Sequence, residues 1–272
     1  MRAVSVCSLT RRCDRPPNKA VGLEITLALA SQGCSVLGTY LTTPPTRLAE
    51  VLAPVAGFAA VQVDLATAAS PAPSEEEEEQ GEGIPRILTA LREQFPGRVV
   101  DILVNNASIA ELGPLRELTA QRLTAVMAAN AVFPAMLLRA LLPYLSRSGS
   151  ARIVNISSEG SHLGRPSTTA YSASKAALES MTRTWAAELG REYNGLTVNA
   201  LALGLVDTHL WHALPEARRE YWTAKIREGT PVAPRIGHTA DVAGVVTFLV
   251  SDQAAWVSGQ VLAVGGGNLM IV

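Results

Sequence analysis

The chain has 272 residues, enough for one large α/β domain and short for two. It is 48% hydrophobic and 17% charged, the balance of a globular protein with a substantial core. Its net charge of −1 supplies no basic face for nucleic acid, so no nucleic-acid partner is predicted. In chain order, "AVSVCSL" comes first, an apolar stretch followed by Arg11 and Arg12. A secretory leader places its basic residues before the apolar run, so the expected location is cytoplasmic. Cys7, Cys13 and Cys34 lack the spacing of a disulfide framework or a zinc site, which favours the same reducing compartment. From residue 23 onward, "LEITLALAS", "TRLAEVLAPV", "IPRILTALREQF", the stretch 118–145 and "SASKAALESMTRTWAAELGREY" carry helical patterns. Between them, "CSVLGTYL", "FAAVQVDL", "VVDILVNNA", "ARIVNISS", "GLTVNALAL" and "GQVLAVGG" are apolar, β-branched runs of strand length.

Strands that are apolar throughout, alternating with helices, predict a doubly wound parallel sheet of Rossmann type in a single domain spanning residues 1–272. In such a sheet ligands bind at the carboxyl ends of the strands. Two segments depart from the rhythm. Residues 1–20 are atypical. The stretch "ATAASPAPSEEEEEQGEG", residues 66–83, is Pro/Ser-rich and then acidic, and is expected to be a disordered surface insert. The most apolar stretch, "AVMAANAVFPAMLLRALLPYL", is interrupted by Asn130, Pro134 and Arg139, so no membrane span is predicted.

The chemistry concentrates in "SSEGSHLGRPSTTAYSASK". Tyr171 and Lys175 are four apart and share one face of a helix. A phenol, with an unperturbed pKa of about 10, is a poor acid at neutral pH. An ammonium one turn away favours the phenolate. A serine hydroxyl beside the phenol can hydrogen-bond a substrate oxygen, and the three groups form a proton-transfer device for a ketone or alcohol. A surface Tyr–Lys pair is the plain alternative for this spacing alone, and the neighbouring motifs outweigh it. The four histidines, His162, His209, His212 and His238, lack ligand spacing, and no metal site is predicted. His162 is close enough to Ser158 in sequence to line a substrate site. The segment "DTHLWHALPEARREYWTAK" has Leu210, Trp211, Leu214 and Trp222 placed to lie over an apolar ligand, or simply to pack on the domain.

From Gly22 to Gly267 the sequence resembles the short-chain dehydrogenase/reductase family. The resemblance rests on Tyr171-x-x-x-Lys175 with Ser158 thirteen positions before the tyrosine, on Asn130 in "MAANAVF", and on "NNAS" after the fourth strand. It rests also on "NALALGLVDTHL", with Leu203 in place of the family's proline, and on "DVAGVVTFLVSD" followed by "SGQVLAVGGG". Ser108 stands where a glycine is usual, and Val264 where an aspartate is common. The resemblance implies that Tyr171 is the general acid/base and that Ser158 orients the carbonyl. Lys175 tunes Tyr171 and holds the nicotinamide ribose, and Asn130 kinks its helix around a water that feeds a proton relay. It implies cofactor contacts at Val21, Gly22, Tyr40, Asp64, Leu65, Asn106, Gly204, Val206 and Thr208, besides Tyr171 and Lys175. It further implies a homodimer or homotetramer paired through the helices around Asn130 and Trp185.

An acidic side chain at the end of the second strand selects NAD, because it binds the ribose hydroxyls and repels a 2′-phosphate. The stretch "GTYLTTPP" has none, and Tyr40, Thr42 and Thr43 can donate to a phosphate, so NADP is favoured over NAD. The expected function is NADP(H)-dependent interconversion of a ketone and a secondary alcohol on an apolar small molecule. The rival reading is a catalytically impaired scaffold or interaction protein on the same fold, with a defective phosphate-binding loop.

That rival arises from the residues before Gly22. The family's first turn is T-G-x-x-x-G-x-G, whose glycines bring backbone amides to the diphosphate at a helix N-terminus. Here the corresponding residues are Arg15, Pro16, Pro17, Asn18, Lys19, Ala20 and Val21, and only the last glycine, Gly22, remains. Proline has no amide donor. If "AVSVCSL" is the first strand, its connection to Gly22 is longer than the usual tight turn. Three explanations stand: a remodelled loop in which Arg12, Arg15 or Lys19 supplies the charge, a lost cofactor site, or a mis-joined first exon.

Overall fold

The computed structural model describes residues 4–8, 20–41, 52, 57–65 and 83–271, and only the backbone of Val4–Ser8. The expected insert at 66–82, the helix expected over "TRLAEVLAPV" apart from Leu52, Thr42, Thr43, and the loop residues Arg12, Arg15 and Lys19 lie outside the described residues.

Among the described residues, seven strands form one sheet: β1 (Val4–Ser8), β2 (Ser35–Tyr40), β3 (Phe58–Gln62), β4 (Val100–Asn105), β5 (Arg152–Ser158), β6 (Thr197–Leu203) and β7 (Val261–Val264). All neighbours run parallel, in the order β3-β2-β1-β4-β5-β6-β7. "AVSVCSL" does contain the first strand, and it lies at the centre of the sheet. Val4–Ser8 registers with Ser35–Thr39 on one side and with β4 on the other. The strand order reverses between β1 and β4, where a doubly wound sheet opens its ligand crevice.

Around the sheet lie α1 (Val21–Ser31), α2 (Ile84–Gln94), α3 (Ala120–Met127), α4 (Phe133–Leu141), α5 (Thr169–Glu192), the short α6 (His209–His212), α7 (Glu216–Gly229) and α8 (Thr239–Leu249). Successive strand residues point to opposite faces, so each strand feeds two cores. Leu103 and Ile153 pack with Ile87, Leu91, Phe133, Leu137, Leu141, Leu189 and Tyr193, from α2, α4 and the end of α5. Ile102, Val104, Val154 and Ile156 pack with Ile25, Leu29, Val242, Val246 and Leu249, from α1 and α8. Burial on both faces explains why the strands carry no polar alternation: every residue of β6 is buried.

The helix expected over 118–145 is present, and one expectation is corrected: Asn130, Pro134 and Arg139 do not keep the stretch below the length and hydropathy of a membrane span. The segment Ala120–Tyr144 is continuous, with a mean hydropathy of 1.7 over its best window, and by length and composition alone it passes for a membrane span. A π-helical turn at Ala128–Val132 joins α3 to α4 and places Pro134 in the first turn of α4, where its missing amide costs little. Half of the window is buried, and Phe133, Leu137, Leu138 and Leu141 enter the core.

Candidate active site

Parallel strands put their carboxyl ends along one edge of the sheet. Tyr40 closes β2 there, Asp64 and Leu65 follow β3, Asn106 follows β4, Ser158 closes β5, and Gly204 follows β6. At the end of β5 the chain turns sharply: Ser158 Oγ accepts from the Gly160 amide at 3.2 Å and caps a single turn, Glu159–Ser161. Helix α5 then carries Tyr171, Lys175 and Glu179 at intervals of four, on the side that meets β5 and β6.

The Ser158 hydroxyl neighbours Tyr171 and acts on its phenol as a hydrogen-bonding group. Burial pushes the Tyr171 phenol above its ordinary value, and the Ser158 bond and the positive charge of Arg165 oppose that rise. Lys175 is 2% exposed and donates from Nζ to the Ile156 carbonyl at 2.7 Å. The ammonium lies 5.8 Å from the centre of the Tyr171 ring. Burial lowers the Lys175 pKa to about 8, with the Glu179 carboxylate working in the opposite direction. The four-residue spacing alone pictures the lysine aimed at the phenol. In the structure it is aimed at a backbone carbonyl of β5, and the direct influences on the phenol are Ser158 and Arg165.

Asn130 is fully buried in the π-helical turn. Its Oδ1 accepts from the Ile109 amide at 2.7 Å, and its Nδ2 donates to the Ile109 carbonyl at 2.9 Å and to Ser174 Oγ at 3.0 Å. The side chain thus ties the segment after β4 to α5, one residue before Lys175. A second buried chain runs from Asn105 Nδ2 to Asn155 Oδ1 at 2.7 Å and from Asn155 Nδ2 to Thr182 Oγ1 at 2.8 Å. The first network fixes α5 to the segment after β4, and the second fixes it to β5, the strand that ends in Ser158.

Ser158 and Tyr171 are neighbours, Lys175 is tied from α5 to β5 through Ile156, and Asn130 is tied to α5 through Ser174. The other candidate residues lie along the same edge of the sheet. Val21 and Gly22 are buried at the head of α1, where Ala20, in the N-cap position, has no side chain to cap the first amides. Gly204 packs against Gly265: a Cβ there would come within 2.9 Å of the Gly265 Cα, so the close approach of two loops is reason enough for glycine. Val206 bridges to Gly237, and Thr208 precedes the short helix His209–His212. His162 turns to Glu179, with Nε2 at 2.9 Å from its carboxylate.

Sequence reasoning missed Glu159 and Arg165. Glu159 is 1% exposed, bonds Arg165 closely, and accepts from Asn268 Nδ2 at 2.9 Å. Arg165 stacks 4.9 Å over the ring of Trp222 on α7. A charged residue directly after the serine was the available signal. Among the described residues no group of three or more His, Cys, Asp or Glu could hold a metal ion.

A doubly wound parallel sheet with a Ser–Tyr pair and a buried lysine at its carboxyl edge defines the class of dinucleotide-fold oxidoreductases. A family model described as enoyl-(acyl carrier protein) reductase matches residues 17–268. The short-chain dehydrogenase/reductase FrzI of a Cladobotryum species is 38% identical over 257 residues, 93% of each chain. The 3-oxoacyl-(acyl-carrier-protein) reductase FabG of Thermotoga maritima is 37% identical over 169 residues, 62% of this chain and 65% of that one. A solved structure described as a gluconate dehydrogenase from Agrobacterium tumefaciens superposes with a TM-score of 0.80 at 28% identity, covering 99% of this chain and 97% of that one. The chain belongs to the short-chain dehydrogenase/reductase family, and is an oxidoreductase of that family.

Proposed function

We propose that the protein interconverts a ketone and a secondary alcohol on an apolar small molecule, with NADP(H) as hydride partner. The observation that carries this reading is the grouping of Tyr171 with Ser158 beside the buried Lys175, at the carboxyl edge of the sheet. The residues present fit a nicotinamide dinucleotide. An uncapped helix head with a buried glycine lies at the point where the strand order reverses, and attracts a diphosphate. Asp64, Asn106, Val206 and Thr208 offer polar side chains or backbone along the same edge. Leu41, after Tyr40, leaves the end of β2 without an acid, which favours the 2′-phosphate of NADP.

When bound, the cofactor supplies or accepts the hydride at the carbonyl carbon. In reduction Tyr171 gives its proton to the carbonyl oxygen while Ser158 donates a hydrogen bond to that oxygen. Lys175 stabilises the phenolate left behind, and Asn130 holds α5 in place through Ser174. Trp211, which is buried, and the half-buried Trp222 form apolar parts of the substrate side. We place the protein in the cytoplasm as a homodimer or homotetramer. Leu123, Val132 and Met136 are exposed along α3–α4, and Trp185 is half-buried on α5, which supports pairing through these helices. A panel of ketones with NADPH consumption as readout, run beside Tyr171→Phe, tests the reading. Activity at the same level in the mutant would overturn it.

A second reading, a family member that keeps the fold without the cofactor, is favoured by one observation. Twelve residues separate β1 from α1, they include Pro16 and Pro17, and the family match begins only at residue 17. Failure to bind NADPH in direct titration would select it.

A further inference from the structure

Lys175 has a charge problem that the Ser–Tyr–Lys group does not solve by itself. Its ammonium is buried, and the acceptor it bonds, the Ile156 carbonyl, is neutral. A buried ammonium without a counter-charge tends to lose its proton. Glu159, the nearest acid in sequence to Ser158, is committed to Arg165 and Asn268. Glu179 is the remaining candidate. It lies one turn beyond Lys175 on the same face of α5 and is 3% exposed.

The Glu179 carboxylate is fully engaged as an acceptor. Ser157 Oγ and Ser161 Oγ each lie 2.6 Å from Oε1, and His162 Nε2 lies 2.9 Å from Oε2. Two hydroxyls on one oxygen and an imidazole beside the other hold the carboxylate in place. His162 is 30% exposed, so it connects this buried anion to solvent. Other charges are elsewhere. On α5 itself the next turn carries the exposed Arg183. On β5, Arg152 is at the far end, bonded to the Gly149 and Ala151 carbonyls. β6 and the π-helical turn have no ionisable side chain, and Arg122 of α3 is paired with Glu111.

We propose that Glu179 is a positioning residue for the reaction: its buried carboxylate, held by Ser157, Ser161 and His162, keeps Lys175 in the ammonium form, and His162 sets how much of that negative charge Lys175 experiences. With His162 neutral, the carboxylate acts on the lysine in full. A cation at position 162 offsets it. The proposal rests on the role of Lys175 in the function proposed above, but its test does not.

The chain has three lysines, Lys19, Lys175 and Lys225. Uniform labelling of lysine with carbon-13 therefore gives three side-chain Cε signals in the full chain, and Lys175→Arg assigns the relevant one. Followed against pH without cofactor or substrate, the Lys175 signal is expected to have its midpoint near about 8. Glu179→Gln is expected to lower that midpoint by about one unit or more. His162→Arg, a fixed cation at a part-exposed position, is expected to lower it as well, while His162→Gln leaves it in place. A midpoint unmoved in both Glu179→Gln and His162→Arg overturns the proposal. If Glu179→Gln does not fold, His162→Arg decides alone. A shift in Glu179→Gln without one in His162→Arg overturns the part assigned to His162. The alkaline limb of NADPH-dependent turnover is expected to move with the lysine. A midpoint that moves in a chain that reduces no ketone overturns the reductase reading and leaves the Glu179–Lys175 coupling standing.

Discussion

The guanidinium of Arg165 is held between a buried carboxylate and an aromatic ring: it bonds Glu159 on one side and stacks 4.9 Å over Trp222 on the other. Glu159 follows Ser158 directly, and Trp222 lies on α7, so the two contacts connect the catalytic turn with the helix expected to lie over the substrate. Arg165→Met leaves Glu159 as a buried, uncompensated charge. The expected loss is about 3–5 kcal/mol in urea unfolding. The double variant Glu159→Gln, Arg165→Met is expected to recover much of that, because no lone charge remains. Trp222→Ala removes the cation–π contact together with the ring contact to Tyr221, and should cost about 1–2 kcal/mol. A single Arg165→Met variant as stable as the unmodified chain would show that the pair is solvated.

Tyr171→Phe should abolish turnover while leaving the fold intact. Ser158 keeps its bond from the Gly160 amide, and α5 keeps its Asn130–Ser174 anchor, so nothing structural depends on the phenol. The loss of a positioned proton donor is worth about 10²–10⁴ in rate. Lys175→Ala should lower both turnover and NADPH affinity. Rates from an NADPH assay and affinities from NADPH fluorescence separate the two effects, and equal affinity for both variants would remove the ribose role from Lys175.

Burial of Lys175 also gives stability a defined pH dependence. Its folded pKa of about 8 lies below the ordinary 10.5, so the unfolded chain binds the extra proton over that window. Stability therefore rises with pH from about 8 to 10.5, and the burial cost is present in full below about 8. The difference corresponds to about 3 kcal/mol. Between pH 7.5 and 10, the melting temperature of the unmodified chain should gain on that of Lys175→Met. Parallel curves for the two would show that the lysine is not desolvated.

How far the site was legible follows from the range of each interaction. Ser158, Tyr171 and Lys175 obey fixed spacings within one strand–turn–helix unit, and the structure brings them together. The strands announced themselves because both faces of a parallel sheet are buried, as in "TVNALAL". Glu159 bonding Arg165 was not legible, because an acid six residues from an arginine is usually a solvated pair, and it is loops distant in sequence, at Gly204, Gly265 and Asn268, that pack on the carboxylate. Glu179 had a visible signal, an acid four residues after the lysine, but that spacing does not reveal which face of α5 meets the sheet. The helix over Ala120–Tyr144 was legible in its apolar pattern, but not the π-helical turn that absorbs Asn130 and moves Pro134 to a tolerated position.

The acidic stretch makes a loop prediction that the structure refines at one residue. Gly83 is the N-cap of α2 and has φ +95°, a conformation side chains other than glycine rarely adopt. Deleting residues 70–82 and joining the ends with a short linker should leave the melting temperature nearly unchanged, since closure entropy varies slowly with loop length. Gly83→Ala in the full chain should cost about 1 kcal/mol or more. Thermal melts of both check this, and a large loss on deletion would reveal packing by the acidic stretch.

The residues before Gly22 make the sharpest prediction about the cofactor. A diphosphate held at the head of α1 needs aligned amides, and Pro16 and Pro17 supply none. The absence of one or two charge-assisted bonds, each of about 1.5–3 kcal/mol, weakens binding by about ten-fold or more. The comparison is a repaired chain in which the residues before Gly22 are replaced by a regular strand and a T-G-x-x-x-G-x-G turn. β1 already pairs with β2 and β4 at the centre of the sheet, so the repair changes the turn and leaves the topology alone. NADPH fluorescence titration of both chains is expected to show tight binding in the repaired chain and weak binding in the chain as it stands. Tight binding in both would mean that Arg12, Arg15 or Lys19 has taken over the phosphate, and alanine at these positions should then abolish it. If neither binds, the scaffold reading replaces the enzyme. If only the repaired chain binds, the fault lies in the first twenty residues, and the genomic sequence upstream of Val21 should hold the missing glycines in frame.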